Sequence, residues 1–91
     1  MYDKRMESPA PLSPEAERIR VGAVYEHFKH KDRYRVVGIA HHSETLEEFV
    51  VYQHLGREAV WIRPVKMWEE RVELDDYKGP RFRLVEEAPV G

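Results

Sequence analysis

The sequence predicts an all-β domain, a small barrel or roll of five to six short strands preceded by a short helix. Three observations carry that expectation. From Ala23 onward, short runs of strand-forming residues follow one another closely, separated by turn signals. Gly38 sits inside one of those runs, where small barrels need a bulge or a bend. The length, 91 residues, suits one domain.

Residues 1–12 read as a flexible arm, with Pro9 and Pro11 among mixed charges and no apolar period. The domain is expected over 13–91. Ser13 is a good N-cap, Pro14 suits the first helical position, and Glu15 and Glu17 suit the positive end of the dipole. Gly22 ends the run, so a two-turn helix is expected with Leu12, Ala16 and Ile19 to one side. A helix that short must pack on something.

Val24–Phe28 is the first expected strand and Lys29–Arg33 a polar loop. Tyr34–His41 follows as a strand, then a turn at His42-Ser43-Glu44-Thr45, where hydroxyls can bond nearby backbone. Glu48–Gln53 and Val60–Arg63 are the next strands, joined by a turn at Leu55–Glu58. Pro64 ends the latter, because proline cannot donate to a ladder. Val65–Trp68 reads as one helical turn. Glu70–Leu74 alternates cleanly as a fifth strand, Asp75–Pro80 reads as a loop, and Arg81–Val85 alternates again.

Two central strands are apolar on both faces. Strict alternation puts Val36 and Ala40 with Gly38 on one face and Val37 with Ile39 on the other; Val50 and Tyr52 oppose Phe49 and Val51. A strand with one face in water would alternate, so something must cover the outside of this sheet. The candidates are the N-terminal helix, the segment around Phe82 and Leu84, or a second subunit. Cover from within the chain is the expectation, so a monomer is favoured over a homodimer.

The order Gly22-x-Val24-Tyr25-x-His27-x-Lys29, Tyr34-x-Val36-x-Gly38-x-Ala40-x-His42-Ser43-Glu44-Thr45, Val50-Val51-Tyr52, Trp61-Ile62-Arg63-Pro64 and Pro80-Arg81-Phe82 resembles the bacterial domain-of-unknown-function family numbered 1653. The resemblance covers about Gly22 to Phe82. It implies a Src-homology-3-like small β-barrel and no assigned activity. The chain departs from the pattern at His30, where the family leads one to expect glycine, and at Met67-Trp68, where it tends to carry phenylalanine.

Composition excludes several classes. Fifteen Lys and Arg stand against seventeen Asp and Glu, a net charge of −2, which is not the balance of a dedicated polyanion binder. There is no cysteine for disulfides, thiolate zinc sites or thiol catalysis. No apolar stretch approaches the roughly 20 residues of a membrane span. Met1–Arg5 has no apolar run behind it, so no secretory leader is expected and the cytoplasm is the expected location.

Of the residues that carry chemistry, Tyr25 and His27 share one strand face, as do Trp61 and Arg63. With His42, Glu44 and Arg81 they form the candidate face for a ligand or a protein partner, and aromatic rows of this kind suit a binding module. Arg63 precedes proline and is thereby held extended. Two other readings stand beside it. Lys29, Lys31, Arg33 and Arg35 form a local basic loop that suits phosphate contacts, although the overall charge does not favour nucleic acid. His27, His42 and Glu44 offer ligands for a small metal-dependent hydrolase, but at no recognised metal spacing. Without a phosphate loop or nucleophile elbow, a non-catalytic protein with no cofactor is expected.

Overall fold

The computed structural model describes residues 11–89. The expected arm therefore lies outside the described residues, apart from Pro11 and Leu12. Among the described residues, seven strands form two antiparallel sheets, accompanied by two one-turn helices. In chain order these are α1 (Pro14–Glu17), β1 (Val24–His27), β2 (Arg33–His41), β3 (Glu48–His54), β4 (Val60–Pro64), α2 (Val65–Trp68), β5 (Arg71–Leu74), β6 (Tyr77–Pro80) and β7 (Phe82–Glu86). The mainly-β class is as expected. Among the described residues the larger sheet has the order β4-β3-β2-β1-β7, with β4 and β7 at its edges; β5 and β6 form a separate hairpin.

Ser13 caps α1 as expected, its Oγ accepting the Ala16 amide at 3.1 Å. The Glu48 carboxylate in turn accepts from the Ser13 amide at 2.7 Å and from its hydroxyl, which ties α1 to the start of β3. Those two bonds hold the Glu48 carboxyl below the usual range. The helix is one turn, not two. Arg18 ends it, and Gly22 serves the turn after it with φ +89°, a left-handed conformation that favours glycine. Ala16 and Ile19 join the core, while Leu12 stays exposed.

The bulge expected at Gly38 is present: the β2–β3 register jumps between Val36 and Gly38. It corrects the expected faces. The extra residue, Val37, is 53% exposed, and the phase shift brings Ile39 to the core side with Val36. The expected loop 75–80 is also corrected. Only Asp75 and Asp76 turn, and Tyr77–Pro80 pairs with β5 as β6. Asp75 takes the left-handed conformation (φ 53°), which aspartate tolerates but which an Asp-Asp pair signals less plainly than Asp-Gly. Tyr77 donates its hydroxyl to the Pro80 carbonyl at 2.6 Å; a Cβ on Gly79 would lie 2.8 Å from that oxygen.

The core lies on one side of the larger sheet. Val36, Val50 and Tyr52 face α1, α2 and Phe82 there. Trp68 stacks on Phe82 at 3.9 Å and meets Tyr25 and Tyr52 edge-on. The expected cover for the opposite face is thereby corrected: α1 and Phe82 are spent on the core side. Val37, Val60 and Ile62 remain exposed, and a Cβ on Gly38 would meet nothing within 4 Å.

Candidate functional site

Residues directly opposite in an antiparallel pair share a face. Val50 lies opposite Arg63 and Tyr52 opposite Trp61, so β4 presents Trp61 and Arg63 on the core side, at the sheet's rim. His27 lies opposite Phe82 in the β1–β7 pair, their rings edge-to-face at 5.2 Å. Phe82 is thus the residue on which the site is assembled. The Arg63 guanidinium lies over its ring at 5.3 Å, and Arg63 Nε donates to the Tyr52 hydroxyl at 3.4 Å. Among the described residues no carboxylate pairs with Arg63.

Arg81, just before Phe82, donates Nη2 to Glu70 Oε1 at 3.0 Å. Its Nε is buried with no partner among the described residues. That is an unspent donor of the kind a ligand satisfies.

The His27 imidazole closes the loop that follows β1. Nδ1 accepts the amides of Lys29 at 3.2 Å and His30 at 3.4 Å, which leaves Nε2 to carry the proton of the neutral ring. Burial, then the charges of His30, Arg81 and Arg63, hold this imidazole below its ordinary range; Asp32 opposes them more weakly. His27 is therefore a neutral donor within reach of the Arg81 and Arg63 charges, an arrangement that suits an anion.

The structure does not unite the whole expected set. Tyr25 is 7% exposed and its hydroxyl accepts the Arg20 amide at 3.0 Å, which makes it a core residue. His42 and Glu44 lie in the exposed β2–β3 turn, at the far end of β2 from His27. Nine residues of strand separate the two ends, roughly 30 Å at about 3.3 Å each. The ligand set His27, His42 and Glu44 is consequently not assembled, and no other His, Asp and Glu group among the described residues is placed to hold a metal. Within the basic loop, Arg33 pairs with Glu26 at 3.3 Å and Arg35 donates to the Gly22 carbonyl at 2.6 Å. Lys29 and Lys31 stay exposed.

Tyr34, Tyr52 and His54, outside the expected set, also lie beside this face. Tyr34 meets Tyr52 and His54 edge-on, each at 5.2 Å, and His54 Nε2 lies 3.5 Å from Asp32. Only the β1–β2–β3 register brings them alongside. A groove of about 420 Å³, lined by Phe28, Lys29, Leu74, Asp75, Asp76 and Tyr77, adjoins the His27 loop. A second cleft of about 450 Å³ lies elsewhere, beside Ser13 and Glu48, whose polar groups already satisfy each other.

The arrangement defines a small mainly-β domain with an arginine- and aromatic-lined rim. A family model described as "Protein of unknown function (DUF1653)" matches residues 23–84, and the chain belongs to that family. It is also similar to the crystal structure of a DUF1653 protein from Bordetella bronchiseptica, with 33% identity and a TM-score of 0.69 over 84% of this chain and 99% of that one. No curated protein matches.

Proposed function

We propose that this chain is a non-catalytic binding module whose rim, formed by His27, Trp61, Arg63 and Arg81, holds an anionic group of a ligand or partner. One observation carries the reading. Arg63 is half-buried, braced by Tyr52 and Phe82, and has no carboxylate of its own among the described residues. A guanidinium held in one place without a counter-charge is preorganised for a carboxylate or phosphate. Trp61, 55% exposed, supplies an open apolar wall beside it. Catalysis gains no comparable support. His27 Nδ1 is occupied by two amides, and no nucleophile lies against its other nitrogen among the described residues.

Titration of isotope-labelled protein with inorganic phosphate, and separately with acetate, tests this by NMR. Shifts of the Arg63 and Arg81 Nε–H signals and the His27 ring should saturate together, and Arg63→Ala should abolish them. A site with Kd of about 10 mM would be visible at roughly 50 mM ligand. Featureless spectra for both anions at that concentration would remove the reading.

A further inference from the structure

We infer that the free edge of β4 pairs antiparallel with β4 of a second copy of this chain, centred on Ile62. The backbone fixes which groups are on offer. The His54 amide donates to the Ala59 carbonyl, so the residues of β4 that bond to β3 are Trp61 and Arg63. Val60 and Ile62 then direct N–H and C=O away from the sheet, while the Pro64 carbonyl, at the N-cap of α2, accepts the first bond of that helix. Two copies of Val60–Pro64 overlap along their whole length only when Ile62 meets Ile62. In that register the two Ile62 residues exchange N–H···O=C bonds across the two-fold axis.

The side chains are complementary in the same register. On the core side Trp61 falls opposite Arg63 of the other copy, in the non-hydrogen-bonded position where side chains approach most closely. The exposed Trp61 ring then packs on the apolar stem of the other copy's Arg63, whose guanidinium stays over Phe82. On the outer face Ile62, 63% exposed, meets its own copy, and Val60, 55% exposed, meets Pro64. No like charges come opposite within the strand, and Glu58 of each copy approaches the Lys66 end of the other.

The second edge of the sheet argues for β4 by contrast. β7 carries Arg83 and Glu86 and runs on to Glu87, charges of the kind that blunt an edge. β4 has one charge, Arg63, aimed at the core side. The outer apolar face, left uncovered by α1 and Phe82, would continue across both copies as one surface.

Sedimentation equilibrium of the full chain tests the pairing. A reversible dimer with Kd of roughly 1–100 μM is expected, the scale of a small interface. Ile62→Lys and Ile62→Glu should each give a monomer, with the melting temperature of the wild type when both are compared at concentrations well below the dimer Kd, since the side chain is exposed in the single chain. Mixing the two variants should restore dimers by placing Lys opposite Glu. Leu84→Lys, on β7, should leave the dimer intact. A wild-type monomer at about 1 mM, a dimer that survives both Ile62 variants, or a mixture that stays monomeric would each overturn the inference.

Discussion

The loops after β1 and β2 are copies of one local design. In each, a histidine accepts two amides on Nδ1: Lys29 and His30 at His27, Glu44 and Thr45 at His42. In each, the residue four further on bonds its amide to the histidine carbonyl, Lys31 at 3.0 Å and Leu46 at 2.8 Å. Both of those residues are left-handed, with φ 62°. The histidine amide then closes the loop on the fifth residue's carbonyl, Asp32 or Glu47. Their surroundings differ. His27 lies against Phe82 and His30, within reach of the Arg63 and Arg81 charges, whereas His42 stands exposed in its turn. The same histidine-capped turn is therefore only a turn at one end of β2 and part of the proposed site at the other. Local geometry does not make the difference; Phe82, Arg81 and Arg63, brought in from β7 and β4, do.

The comparison can be broken most directly at Phe82. Phe82→Ala removes a ring 5% exposed and stacked on Trp68, and should cost about 3–5 kcal/mol in denaturant unfolding. It should also release Arg63 and His27, while amide signals of the His42 turn keep their shifts. Next, His27→Ala should cost about 1–3 kcal/mol, because ring packing is lost along with the two accepted bonds, and His42→Ala only about 0.5–1 kcal/mol. Equal costs would mean that the surroundings of His27 add nothing. Asparagine at position 42 should recover most of the loss, because its side-chain oxygen can accept the same amides.

The pH dependence sharpens the contrast further. His27 is held below the 6.5 of an unperturbed imidazole, so as pH falls the unfolded chain takes up this proton first. Its contribution to stability is complete above about 6.5 and declines as pH drops toward the folded-state value. Below about 6.5 the stability of His27→Gln should fall less steeply with pH than that of wild type, while above it the two slopes should match; a wild-type slope retained in the variant would assign the dependence to another group. The smallest effect is expected at Trp61. Its exposure predicts that Trp61→Ala changes stability by no more than about 0.5 kcal/mol, in contrast to Trp68→Ala in the core.

Much of the fold was legible along the chain. Ser13 before Pro14, proline after Arg63, Gly38 within a strand and the helical turn at Val65–Trp68 are signals that act over a few residues, and each structure they predict is present. The glycine missing at His30 proved harmless for a reason the sequence hides: the left-handed residue in that loop is Lys31. The Asp75-Asp76 turn was missed because neither residue marks a hairpin strongly. Pairing Trp61 with Arg63 on one face followed from strand alternation alone. Placing Tyr25 and His42 at that face did not survive, because period two says which residues share a side of one strand and nothing about which strands lie adjacent.

By itself, then, the sequence determined the element types and their order everywhere but at β6, since caps, prolines, glycines and alternation act through local sterics and hydrogen bonding. Only the tertiary structure decided that β5 and β6 form a hairpin apart from the larger sheet, that a one-residue bulge moves Ile39 inward and Val37 outward, and that His27 rather than His42 lies against Phe82 within reach of two arginine charges. Those outcomes depend on register between segments as far apart as residues 27 and 82, and register is settled by packing the shared core.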